Sequence, residues 1–163
     1  METILPLVQA GVLALMAAWL TLGLRDNLVH PDLNETFTAE VLSLARMKRD
    51  YAAIAAMVAH RAIDDRRTQR RLFRLIVAAE ALVVLALWVA VATLCAHLAG
   101  LLPHAPAQAV GLLAAFGFTA LWGAFLVAGN HFCYWFCHDA AQNTHFQLAL
   151  WGMGAMLLLV QAP

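Results

Sequence analysis

The stretch RRTQRRLFRLIVAAEALVVLALW, residues 66–88, decides the fold: five arginines, Arg66, Arg67, Arg70, Arg71 and Arg74, run straight into an apolar segment holding one acid, Glu80. At roughly 1.5 Å per residue, an apolar helix of about 20 residues crosses the ~30 Å hydrocarbon core of a bilayer. Arginines at its start reach back to the headgroups, so all five are read as lipid or partner contacts. A carboxylate near the centre of such a span costs about 2.5 to 3.5 kcal/mol on insertion scales and persists where a polar partner or a function retains it. Glu80 is therefore the first functional candidate.

The rest of the chain has the same character. With 63% hydrophobic and 12% charged residues, the 163-residue chain falls outside the balance of a soluble globular domain. Apolar runs mark four spans, at approximately 4–24, 73–98, 110–133 and 142–161. The first lacks a preceding basic segment and a clear cleavage site, so it is read as retained. Pro103 and Pro106 lie in the short turn from Gly100 to Ala109, which makes spans two and three a helical hairpin. Small residues recur every fourth position in span three (Gly111, Ala115, Thr119, Gly123), a spacing that lets membrane helices approach closely. Trp122 on the same helix is read as packing bulk. The expected fold is an all-α integral membrane protein: one domain over residues 1–163, four transmembrane helices in an antiparallel bundle, and an amphipathic helix in the first loop.

That loop helix is placed at approximately 36–63. Phe37, Val41, Leu44, Met47, Tyr51, Ile54, Val58 and Ala62 form a stripe at helical spacing, and Asp32 with Glu35 reads as a capping box at its start. All ten lysines and arginines lie between Arg25 and Arg74, so the positive-inside rule puts this loop in the cytoplasm of a bacterial inner membrane. Seven acids are interleaved with them, which speaks for lipid headgroups and against nucleic acid as the partner.

One polar constellation stands out, Gly129 to Asp139, with His131, Cys133, Cys137 and His138 among aromatics. On one continuous helix His131, His138 and His145 share a face while the cysteines take the other, and His131 and His138 stand ~10 Å apart, too far for one ion. The three histidines are weak candidates for an axial cofactor ligand, no metal site is expected, and an interfacial aromatic belt is the simpler reading. Three cysteines, an odd count, argue against a disulfide framework. By depth, Glu80 lies ~8 to 12 Å below the membrane surface, level with Asn130 and His131, so a cluster of Asn27, Glu80, Asn130 and His131 is expected.

Asn27-Leu28 with Pro31 and Asn34, Val41-Leu42-Ser43, Arg61-Ala62-Ile63, Ala79-Glu80-Ala81-Leu82, and Tyr134-Trp135 followed by Ala141-Gln142, Thr144 and His145 carry a resemblance across nearly the whole chain. The sequence resembles the bacterial family of predicted small integral membrane proteins with a domain of unknown function, the DUF twenty-one sixty-five group. The resemblance implies a four-helix membrane protein of similar length and directs attention to Asn27, Asn34, Glu80 and His145. It carries no activity or cofactor.

No nucleophile with its base and no glycine-rich phosphate loop can be read, so no catalytic residue is assigned and no cofactor is required. Small-residue faces and an uncovered amphipathic loop suit a non-catalytic accessory or assembly subunit of a larger inner-membrane complex, of respiratory or photosynthetic electron transfer, with other integral membrane subunits as partners. The alternative is a small transporter or a quinone- or haem-binding protein using Glu80 and His131.

Overall fold

The computed structural model describes residues 3–161, and its regular structure is helical throughout. Helix α1 (Ile4–Val29) leads into a loop built from α2 (Pro31–Leu42), α3 (Ala45–Asp50), α4 (Ala52–Val58) and a 3-10 turn at Ala59–Arg61. Then follow α5 (Arg66–Leu98), α6 (His104–His131), the single turn α7 (Tyr134–Cys137) and α8 (Asp139–Leu159). Among the described residues, α1, α5 and α6 are long and apolar enough to cross a membrane. Helix α8 spans 21 residues, but Gln142, Asn143, Thr144 and Gln147 occupy its first turns.

Helix α5 starts where it does because Asp65 caps it, its carboxylate accepting from the Thr68 amide at 2.9 Å and the Thr68 hydroxyl at 2.7 Å. These bonds hold the Asp65 carboxyl below its ordinary range. The turn to α6 is made by Gly100 at φ 73°, a backbone state that glycine reaches without strain. Packing runs α1 on α5, α5 on α6, α6 on α8, and α8 back to α1. The core is built of alanines and leucines with two aromatics: Leu13, Met16 and Leu20 meet Leu87 and Leu94, with Phe118, Trp122, Leu148 and Leu159 closing it. Other leucines point outward, as with Leu15, Leu82, Leu113 and Leu157, each more than 60% exposed. Such outward leucines suit a lipid surround, where leucine loses nothing by facing outward and helices gain from close backbone contact.

Two features differ from the sequence expectation. The loop stripe is broken, because Leu44 takes φ 55° and Tyr51 takes φ −142°, so residues 36–63 form three short helices and a 3-10 turn rather than one amphipathic helix. The capping box is also displaced: α2 begins at Pro31 behind His30, which puts Asp32 inside the first turn.

Candidate functional site

Where α1 ends, the chain brings polar groups together at the loop-facing end of the long helices. Asn34 of α2 donates from Nδ2 to the Asn27 Oδ1 at 2.6 Å, and Asn27 donates from Nδ2 to the Glu80 Oε2 at 2.7 Å. Asn34 is exposed, whereas Asn27 and Glu80 are 7% and 6% exposed. The relay sets the direction of both amides, since an Asn27 oxygen occupied by Asn34 leaves only its NH2 for Glu80. Among the described residues no ion pair reaches Glu80 and no hydrogen bond reaches its second oxygen, Oε1.

Glu80 lines a cavity of about 230 Å³ with Asn27, Asn34 and His145. Its remaining walls are chiefly aromatic, with Trp19, Phe37, Phe73, Trp122, Phe125 and Tyr134. The imidazole of His145 stacks on Trp122 at 5.3 Å and on Tyr134 at 5.8 Å between ring centroids, so α8 contributes to the wall through an aromatic stack. Among the described residues the buried Trp122 Nε1 and His145 Nδ1 find no hydrogen-bond partner. Beside the cavity an apolar groove of about 320 Å³ opens between α5 and α6, and the two share Thr38, Ile76 and Phe125 as walls.

Asn130 and His131 lie elsewhere. Both are exposed, and His131 meets Phe132 edge-on at 4.9 Å while its backbone carbonyl accepts from the Arg61 Nη1 at 3.2 Å. The buried face of α6 carries Trp122 and Gly129, with Phe125 half-buried beside them, so the next two residues are rotated away by about 100° each. Depth alone puts Asn130 and His131 level with Glu80. Rotation replaces them by Asn34 and His145. His138 lies behind the cavity wall, buried edge-on against Phe37 at 5.3 Å and 5.7 Å from the Tyr134 ring on which His145 stacks, while His131 stands apart from both. Burial pushes the His138 imidazole below its ordinary value, and the Arg46 charge acts in the same direction. Among the described residues no three metal-ligating side chains converge.

The arginines divide by role. Glu35 of α2 pairs with Arg70 at 3.1 Å and with Arg66 at 3.7 Å, tying the loop to α5. Arg66, Arg67, Arg70, Arg71 and Arg74 together line a cleft of about 270 Å³. Arg46 donates to the Cys137 carbonyl at 2.8 Å, so Arg46 and Arg61 bond the connection from α6 to α8, a role the sequence stripe did not disclose. A second polar knot lies at the far end, where buried Gln9 donates to the Leu158 carbonyl at 3.1 Å and the His104 Nε2 approaches the Gln9 Oε1 at 3.3 Å.

The family described as predicted small integral membrane protein (DUF2165) matches residues 5–162. The chain belongs to this family. Comparison with curated proteins and with solved structures finds no match. Membership makes the chain an integral membrane protein. The four residues to which the family resemblance directed attention, Asn27, Asn34, Glu80 and His145, all line the one cavity.

Proposed function

We propose that the chain is a four-crossing antiparallel bundle of a bacterial inner membrane that binds a small amphipathic molecule and acts as a carrier or small transporter rather than as an enzyme. The observation that carries this reading is the cavity itself: a single buried carboxyl, anchored by Asn27 and Asn34, faces an aromatic-walled space beside a lipid-side groove. Such a mix of many apolar walls and a few convergent polar groups is what small-molecule sites share. The polar head of a ligand lies at Glu80 and its apolar part lies toward the Thr38, Ile76 and Phe125 walls. Glu80 is the anchor, Asn27 and Asn34 position it, and His145 is part of the aromatic wall. Arg66, Arg67, Arg70, Arg71 and Arg74 meet lipid phosphates at the cytoplasmic surface.

Gly23 supplies the test. It lines the cavity, and a Cβ added there meets nothing within 4 Å, so Gly23→Leu fills the space without a clash at its base. The native protein and Gly23→Leu are purified from native membranes in mild detergent, and bound small molecules are identified by mass spectrometry. A molecule retained by the native protein and lost from Gly23→Leu supports the reading; equal retention by both ends it.

The accessory-subunit reading has one supporting observation, the exposed apolar side chains Ile54 and Met57 on α4. Co-migration of the solubilised protein with a large complex, abolished by Met57→Glu, would favour it over the carrier. Of the small-residue row, Gly111 and Ala115 are taken up inside the bundle, Gly111 against Leu159 and Leu13, whereas Gly123 has open space around it.

A further inference from the structure

We infer that the ligand of the Glu80 cavity is a lipophilic organic cation, a substituted ammonium; this rests on the binding reading above. Three observations converge on that chemistry. Glu80 is the one carboxyl among the residues lining the cavity, and no lysine or arginine lines it. Its oxygen Oε1 accepts no bond from a described residue, so that oxygen keeps its accepting capacity for an incoming group. Finally, six aromatic residues line the space, Trp19, Phe37, Phe73, Trp122, Phe125 and Tyr134, the side-chain type whose rings attract a cation, although Trp122 already stacks on Phe125, and Trp122 and Tyr134 on His145.

The asparagine relay adds direction. Asn34 and Asn27 both point their NH2 ends toward Glu80, so two amide dipoles in series support negative charge on the carboxyl rather than on any neighbour. A bound cation supplies the opposite charge that an acid inside a membrane requires, and the low dielectric of the site strengthens the pair. A quaternary ammonium meets the carboxyl by charge alone, without an N–H, and its methyl groups suit a wall made mostly of rings, whereas an ammonium that keeps an N–H also donates to Oε1. The space, about 230 Å³, holds a small trimethylammonium head, and the shared Thr38, Ile76 and Phe125 walls let an attached ring or chain lie toward the groove.

The probe is benzyltrimethylammonium, set against its uncharged isostere neopentylbenzene and a short-chain quinone. Each is titrated by calorimetry into the full-length purified protein in mild detergent and, in parallel, into Glu80→Gln. The expected result is saturable binding of the cation at least tenfold tighter than the isostere, with at least a tenfold loss in Glu80→Gln. A smaller preference in the native protein, absence of saturable cation binding, or displacement of the cation by the quinone at lower concentration overturns the inference. Should Glu80→Gln fail to fold, the ratio of cation to isostere in the native protein decides alone. Tight binding of the isostere or quinone would discard the cation and leave the carrier reading standing, whereas the Gly23→Leu comparison tests that reading without reference to charge.

Discussion

Asn27 is the residue on which the Glu80 site turns, because it both receives from Asn34 and gives to Glu80. Asn27→Leu leaves the Glu80 Oε2 buried without its donor, and a buried acceptor stripped of its partner costs about 1 to 3 kcal/mol, more if charged. Asn34→Ala removes a bond whose outer partner is exposed, with an expected loss below ~1.5 kcal/mol. Thermal melts in detergent should rank Asn27→Leu well below Asn34→Ala, and the double variant should lose less than the sum, since both act on one relay. Equal losses would mean that the relay does not hold Glu80. His138 makes a separate prediction from pH. Its folded value lies below the ordinary 6.5, through burial and then Arg46, with Glu40 acting weakly in the opposite direction. A lowered folded value means that the unfolded chain takes up the proton first, so stability is full above 6.5 and is lost as pH falls below it. Melts stepped from about pH 7.5 to about pH 5.5, across the ordinary histidine range, should fall in the native protein and stay flatter in His138→Phe.

At the level of elements, the long helices were legible because an apolar run of membrane length has few other outcomes, while the breaks between short helices were not. Leu44 and Cys133 both adopt left-handed backbone, at φ 55° and 58°, where a non-glycine residue costs about 1 kcal/mol or more. Neither residue type announces such a turn. Both side chains are buried in one satellite cluster with Met47 and Ala55, and that shared burial outweighs the local cost. The break at Cys133 also frees Tyr134 to lie against the backbone of Gly129, where an added Cβ would stand 2.5 Å from the Tyr134 ring. The α6 and α8 contact is tested at Gly152, whose added Cβ would collide with Thr119 and come within 3.2 Å of Phe118. Gly152→Ala should cost about 1 to 3 kcal/mol by overpacking, against the usual gain of alanine over glycine in a helix. Gly11→Ala, with open space around it, is the matched control and should be neutral or stabilising in the same melt.

For the whole molecule, what the sequence left unread at the site was azimuth rather than depth. Counting residues from the membrane surface gave the level of Glu80, but which groups share that level and also face it depends on how each helix is rotated, and rotation is set by packing. Thus Asn27 could be paired with Glu80 from the end of α1, whereas Asn130 and His131, at a matching level, face away. The same separation makes the membrane topology testable. With the arginine-rich loop inside, the connection from α6 to α8 lies on the side of that loop because Arg46 and Arg61 bond its carbonyls. On the proposed four crossings, the turn at Leu101 and the end of α8 lie on the other side. Cysteines introduced singly at the exposed positions Arg67, Trp135, Leu101 and Gln161, with the labelling of the native cysteines subtracted, report this directly by reaction with an impermeant maleimide on intact cells and on inverted vesicles. Arg67 and Trp135 should react only in inverted vesicles, and Leu101 and Gln161 only in intact cells. If Gln161 reacts with the Trp135 group instead, α8 lies along the surface, the bundle crosses three times, and the His145 wall of the cavity is a lid at the interface rather than part of the membrane interior.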